Sequence, residues 1–521
     1  MLFYALLFAS STLSMPDTGA DWPTFNGGYA GDRYSSLTEI TTANVGRLRR
    51  VATFETGVET SFQTGPVVVD GTLYFTTHKH TYAINAANGK LKWKDVAGVA
   101  KVGLGSHRGA AYSDGRVFRG YSNGYVVGFD AASGKRLWSK AIANAKMGES
   151  VPMAPIAWDG KVFVGNAGGD NHSVTGRVYA LDAKTGKELW VYHTVPKSGP
   201  ALATWKNKQL APSGGATWTS YSLDQDKGIL YVCAGNPAPD FDIESRPGAN
   251  LYTNSMIALD ARTGKFLAYC QPTKEDTHDW DLSAAPALIT TKAGKRLAAV
   301  GGKDGMLYGI DVSGVSSANG SELPIRYRTP VTRRFNVNVP LSRTKGVRFA
   351  PGPQGGIEWN GPSYDPVSNL VFTPAIDWPS TVKLATKAQI YSVKPGQAWA
   401  GSHDGGFGVM DKQWGGYLSA VDADTGKKKW SYKAPTPLVA AVTSTAGGIV
   451  FSADVNGDLI AFESSTGKRL WKTNTGRPCG GGIVSYAVNG KQYVAVASGL
   501  NSPIWRPKPK TTAKIVIYAL P

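Results

Sequence analysis

An eleven-residue pattern that recurs along the chain constrains its fold more than any other feature. The segments AINAANGKLKW (83–93), GFDAASGKRLW (128–138), ALDAKTGKELW (180–190), AVDADTGKKKW (420–430) and AFESSTGKRLW (461–471) share it. ALDARTGKFLA (258–268) is a sixth copy that lacks the Trp, and GIDVSG (309–314) is a seventh, cut short. The pattern's glycines fall at 89, 134, 186, 264, 314, 426 and 467, so most gaps are 41 to 52 residues. Four short strands with their turns fill that length, which is one blade of a β-propeller. The gaps of 78 and 112 residues contain insertions, and the larger has room for one degenerate copy. Seven visible units and one hidden unit predict an all-β, eight-bladed β-propeller.

Within a unit the strand signals are local. Residues 66–93 read as short β-branched and aromatic runs separated by Asp-Gly and Asn-Gly turns. The Gly after Thr, Ser or Asn supplies the positive φ that a tight hairpin needs. The Trp that follows it holds a constant place on the outer strand, where it is expected to dock on the next blade. Five of the 15 Trp are thereby structural. The 62 Gly of 521 residues suit a chain of many tight turns. Ring closure is expected from pairing of the N-terminal segment (about 21–60) with the last strands near 490–520.

The chain carries 56 basic and 38 acidic residues, a formal net charge of +18. Many of its lysines sit in the repeated TGK or SGK turns, and no basic run interleaves with aromatics as a base-stacking platform requires. No nucleic acid partner is expected. Solvated turn lysines explain most of the charge, with steering of an acidic protein partner as the functional alternative. Only 3 Cys occur, which excludes a disulfide scaffold. Residues Leu2 to Ala9 form an apolar stretch followed by small and polar residues, the core and tail of a secretory signal without its basic start. It is too short to span a bilayer, and no other segment is long enough, so no integral membrane segment is expected. The expected organisation is a leader segment over 1–20 and a single propeller domain over 21–521.

Four segments outside the repeat are more specific: HRGAAY (107–112), GGATW (214–218), AGNPAP (234–239) and HDWD (278–281). In their order and spacing, and over nearly the whole span from DWPTFNGGYAGDRYSSLTEITTANV (21–45) to VNGKQYVAVASG (488–499), the chain resembles the quinoprotein alcohol dehydrogenases. That family's eight-bladed propeller binds pyrroloquinoline quinone (PQQ) and a metal on its axis. The resemblance implies that Asp281 is the catalytic base, taking the alcohol's hydroxyl proton as hydride leaves for the quinone. It implies Asp170, Asn236 and Asp281 as metal ligands, oxygen donors suited to a hard cation such as Ca²⁺. Asn171 is an alternative to Asp170, because the family usually has Glu there. It implies Trp218 as the flat floor beneath PQQ and Arg108 and Lys303 as partners of its oxygens. Gln63 and Glu358 stand where PQQ-contacting Glu and Asn are usual. Lanthanide-using members carry an additional Asp two places after the base. Ser283 stands there in this chain, which implies calcium.

Taken singly, an Asp in a loop is usually a solvated turn residue, and Asn-Pro is usually just a turn. These positions carry weight only together. Three departures from the family stand out. The adjacent, disulfide-linked cysteines that commonly cover PQQ are replaced by Val102-Gly103-Leu104-Gly105, with Cys233, Cys270 and Cys479 all distant in sequence. Gln63 and Glu358 exchange the usual residue types. A small residue near Val439 is expected to open the substrate cavity to bulky alcohols. No CxxCH occurs, so no covalently attached haem is expected within the chain, and a separate soluble c-type cytochrome is the implied electron acceptor. The implied function is periplasmic, PQQ- and Ca²⁺-dependent oxidation of primary or secondary alcohols to aldehydes or ketones. The alternatives are a binding scaffold like the outer-membrane assembly lipoproteins and a quinoprotein-like propeller that has lost its cofactor.

Overall fold

A computed structural model describes residues 19–96, 105–317, 319–505 and 511–521. The fold is all-β and of the propeller type. Among the described residues there is one α-helix, Lys387–Ser392, and there are eight antiparallel sheets of four or more strands. In chain order the sheets are built from residues 67–96, 111–141, 156–193, 222–270, 287–330, 363–434, 443–474 and 479–519. In the first seven, strands pair in sequence order, as a meander does. The last differs: Arg49–Glu55 forms its edge by pairing antiparallel with Lys514–Ala519, so the two ends of the chain share one sheet. Tyr34–Ser35 adds a short parallel strand to the seventh sheet beside Thr443–Thr445.

The recurrent pattern closes each sheet's last hairpin. In ALDAKTGKELW, Asp182 Oδ1 accepts from both the amide and the hydroxyl of Thr185, each at 2.8 Å, and the Gly186 amide donates to the Asp182 carbonyl. The same clasp recurs at Asp130 with Ser133, Asp260 with Thr263 and Asp422 with Thr425. A short acceptor side chain, a donor three residues on and a glycine at positive φ define this turn.

The small residue that begins the pattern lies directly across from its Trp. Ala83 pairs with Trp93, Gly128 with Trp138, Ala180 with Trp190, Ala420 with Trp430 and Ala461 with Trp471. The indole then reaches the turn of the following sheet. Trp93 Nε1 donates to the Ala131 carbonyl, Trp138 to Ala183, Trp190 to Ala261 and Trp430 to Ser464. A Cβ on the turn glycine would lie 2.5–2.7 Å from that ring at Gly134, Gly186, Gly264 and Gly467. The copies at 128–138, 180–190 and 420–430 thus contribute an indole in one direction and a bare backbone in the other. The sheet that carries the Trp-less copy breaks the chain of contacts, and a Cβ at Gly314 would meet no ring within 4 Å. In the next sheet Tyr327 takes the indole's place, opposite Gly309 and 2.5 Å from a Cβ at Gly426.

Between sheets, buried aliphatic and aromatic side chains of the central strands interlock, for example Phe118, Phe163, Val178 and Leu181 in one cluster. The apolar edges are spent on packing. The loops between sheets are left to carry polar chemistry.

Gly186→Ala tests the contact. Its φ of +72° and the 2.5 Å approach to Trp138 place strain and overpacking on one methyl. The expected loss is about 2–4 kcal/mol, read from the urea midpoint at unchanged slope.

Candidate active site

A cavity of about 440 Å³ is lined by residues from Gln63 to Trp505, drawn from loops and strand ends of many sheets. All eight candidate positions line it: Gln63, Arg108, Asp170, Trp218, Asn236, Asp281, Lys303 and Glu358. Strand pairing sets the first two. Ser61–Gly65, carrying Gln63, runs parallel to Ser106–Gly109, carrying Arg108. The other six come from connections, where backbone freed from the ladder can point a side chain inward.

Asp281 is held from two sides. Trp218 Nε1 donates to its Oδ2 at 2.6 Å, and Lys303 Nζ lies 3.5 Å from its Oδ1. The Lys303 amide also donates to the Asp281 carbonyl, which ties the two loops together. Gly235 permits this approach, since a Cβ there would sit 3.0 Å from Asp281 Oδ2. Arg108 donates through Nη1 to the Trp218 carbonyl, and its guanidinium lies 4.6 Å from the Trp218 ring centre. Trp218 is therefore a hub, touching the base and a cation at once.

The charges are buried together. Burial opposes the charge on Lys303, but Asp279, Asp281 and Glu358 outweigh it and hold the ammonium well above its usual range. Burial lowers Arg108 to about 9, with Glu358 partly restoring it. Burial raises Glu358 to about 7 against the pull of Lys303, and raises Asp170 to about 6 with Asp281 adding to the shift. Asp170 is open to the solvent of the cavity, yet walled in on the protein side, which is why its carboxyl behaves as a buried one.

Two acids not foreseen from the sequence also face the cavity, Asp240 and Asp279. Carboxylate oxygens of Asp170, Asp240 and Asp279 lie within 4.8 Å of one another. Asp279 was visible inside HDWD, and Asp240 directly follows AGNPAP. Neither belongs to a repeat that would have marked it. Asn171 also lines the cavity, its amide donating to the Met147 carbonyl at 3.4 Å, while Asp170 belongs to the acid cluster. Ser283 is buried off the cavity and donates to the Ile357 carbonyl at 2.7 Å.

One expectation changes. Val439 does not line the cavity. It is buried in a cluster with Trp359, Trp378, Leu500 and Trp505, and the apolar wall is supplied by Trp505, Ile504, Phe407 and Trp399. Cys233, Cys270 and Cys479 are three buried free thiols, with Met256 on the strand between the first two. Val102, Gly103 and Leu104 lie outside the described residues, while Gly105 lines the cavity.

The lining has unmet polar capacity. Gln63 Oε1, Arg108 Nε, Asp240 Oδ2 and Glu358 Oε1 are buried without a hydrogen-bond partner. Such atoms cost free energy unless something satisfies them. A ligand rich in carboxylate and carbonyl oxygens would accept from the Arg108 guanidinium, a cation would meet the Asp240 carboxylate, and Gln63 Oε1 and Glu358 Oε1 are acceptors that call for an N–H or O–H donor or a cation. The donor set therefore fits an anionic quinone with a hard metal ion.

Comparison with known proteins points the same way. The profile of the family described as glucose/ethanol/alcohol dehydrogenase, beta-propeller domain (PQQ) matches residues 22–314, and that of outer membrane protein assembly factor BamB matches 414–502. The chain is 30% identical over 515 residues to a quinohemoprotein alcohol dehydrogenase of Comamonas testosteroni, covering 92% of this chain and 72% of that protein. Its structure is similar to that of the quinohemoprotein alcohol dehydrogenase ADHIIG of Pseudomonas putida HK5, with a TM-score of 0.86 at 26% identity, covering 97% of this chain and 81% of the other. It is also similar to a europium-containing methanol dehydrogenase, with a TM-score of 0.83 at 25% identity, covering 97% and 99%.

The raised Glu358 carboxyl has a measurable consequence for the ligand-free protein. Between its ordinary value of 4.5 and about 7, the folded state holds a proton that the unfolded chain releases. Stability therefore falls as pH rises through that window. Glu358→Gln removes this share of the slope, read from urea midpoints at pH 5, 6, 7 and 8; equal slopes in the two proteins would refute the assignment.

Proposed function

The chain belongs to the quinoprotein alcohol dehydrogenases and is an oxidoreductase acting on CH–OH groups; on that premise we propose that it oxidises primary or secondary alcohols to aldehydes or ketones, with Asp281 as the base. The observation that carries this reading is the arrangement around that carboxylate. A buried Asp, oriented by the Trp218 N–H and the Lys303 ammonium, opens onto a cavity with a partly apolar wall. PQQ, when bound, supplies the two-electron acceptor. Trp218, Arg108, Lys303, Gln63 and Glu358 would hold it, and Asp170, Asn236 and Asp281 would hold the metal.

The protein's own part is positioning and proton transfer. With Oδ2 engaged by Trp218 and Oδ1 near Lys303, the Asp281 carboxylate cannot rotate freely, and its remaining lone pairs are free to accept a hydroxyl proton. Trp505, Ile504, Phe407 and Trp399 exclude water and favour an alcohol with an apolar body, bulky ones included.

The metal is a hard, oxygen-seeking cation. Calcium is the family-based choice, resting on Ser283. Because that side chain is turned to the Ile357 carbonyl, the selection falls to the carboxylates that do face the cavity. We further propose that the eight sheets are eight propeller blades docked through their aromatic residues, forming one domain over 21–521. We place the enzyme in the periplasm, with 1–20 as its leader and a soluble c-type cytochrome as its electron acceptor. The formal charge of +18 supports an acidic partner.

Dye-linked alcohol oxidation is to be measured with PQQ and Ca²⁺ added separately and together, over alcohols from methanol to bulky secondary ones. Activity is expected only with both additions. Asp281→Asn is expected to lower kcat by about 10²–10⁴-fold while still quenching Trp fluorescence on addition of PQQ. Wild-type protein that neither oxidises any alcohol nor responds to PQQ would instead favour a propeller that has lost its cofactor. With a reducible acidic cytochrome, the second-order rate is expected to fall steeply with ionic strength; a flat salt profile would remove the electrostatic role of the charge.

A further inference from the structure

One chain of polar side chains in the cavity wall has no part in the chemistry proposed so far. Arg119, His107 and Ser122 are all nearly fully buried, and Ser122 lines the cavity. We propose that Ser122 is a cofactor-binding residue, a hydrogen-bond donor to a carboxylate of the quinone, and that Arg119 and His107 are positioning residues that fix its hydroxyl as a donor. The proposal rests on the quinoprotein reading of the cavity and adds a residue to it.

The direction of the chain follows from which groups can donate. Arg119 Nη2 lies 2.9 Å from His107 Nδ1. A guanidinium only donates, so Nδ1 accepts and the ring proton sits on Nε2. Nε2 lies 3.1 Å from Ser122 Oγ and donates to it. Ser122 Oγ is thereby committed as an acceptor, and among the described residues it has no other hydrogen-bond partner. Its own hydrogen is available to a ligand in the cavity. The imidazole stays neutral, because burial, with Arg119, His78 and Arg108 adding to it, holds its basicity well below the usual range.

Arg119 is itself fixed. Nε donates to the Gly120 carbonyl at 3.0 Å and Nη1 to the His80 carbonyl at 2.9 Å, and the guanidinium lies 3.9 Å from the Tyr121 ring centre. Among the described residues no carboxylate forms an ion pair with it. Asp95 is taken by Arg136 and by the Tyr121 hydroxyl. The guanidinium charge therefore polarises the two hydrogen bonds that lead to the cavity and strengthens Ser122 as a donor. Arg108 follows His107 on the strand Ser106–Gly109, and its Nε is a second buried donor without a partner. Two unmet donors, each backed by a guanidinium, suit an anionic oxygen better than a neutral hydroxyl. On the quinoprotein reading the carboxylates of the quinone are the anionic groups.

The test measures binding of PQQ to the full chain by titration calorimetry and Trp quenching, without turnover. Ser122→Ala is expected to weaken PQQ by about 10–100-fold, and Ser122→Thr, which keeps the hydroxyl, to stay within about 3-fold of wild type. Arg119→Met is expected to weaken PQQ by about 3–10-fold alone and to have no further effect in the Ser122→Ala background, with thermal melts confirming that the variants fold. In the ligand-free protein, spectra of ¹⁵N-labelled histidine are expected to place the His107 proton on Nε2. PQQ affinity unchanged in folded Ser122→Ala, whatever happens to the KM for alcohol, additive effects of the two substitutions, or a His107 proton on Nδ1 overturns the proposal and leaves the enzyme reading intact. Wild-type protein that binds no PQQ overturns both.

Discussion

At four junctions between successive sheets an indole is laid against a bare glycine. Each docking glycine sits at the one turn position where a side chain would strike the ring of the preceding sheet, and each docked indole also satisfies its N–H on that turn's carbonyl. Dispersion, burial and one hydrogen bond thus act at a single contact, which recurs at four junctions. The pairing of Arg49–Glu55 with Lys514–Ala519 then binds the first part of the chain to the last.

That outer scaffold is what allows so much charge near the centre. Asp170, Asp240, Asp279, Asp281, Glu358, Lys303 and Arg108 occupy one cavity, and gathering like charges there is unfavourable in itself. Loops anchored at both ends by strands cannot relax to separate them. The strain is met locally by Lys303, by the Trp218 N–H and by the Asn236 amide. What those groups leave unmet is a demand for a cation and for an oxygen-rich ligand. The polar atoms without partners mark where that demand lies.

How much of this could be read in advance follows from the range of each interaction. The turn clasp of Asp182 with Thr185 and Gly186 spans five residues, so it was legible as a motif. The docking role of Tyr327 was not, because a tyrosine replaces the indole in a unit whose pattern is truncated. Asp281, Trp218 and Asn236 could be named only through resemblance in three separated segments, and the structure brings them to one cavity. Val439 was misplaced for the converse reason. Its segment is apolar whichever way it faces, and Trp505 and Trp359 enclose it away from the opening.

The sequence by itself determined the all-β, repeating architecture, because the hairpin turn, the strand alternation and the small residue opposite the aromatic are all short-range choices repeated along the chain. It also carried the residues of the site, though not their relations. Only the tertiary structure decided that Asp240 and Asp279 join Asp170, that Ser283 turns to the Ile357 carbonyl, and that Trp218 touches both Asp281 and Arg108. Those contacts join loops tens of residues apart, and no local rule fixes how such loops face one another. The closing of sheets around a shared centre does.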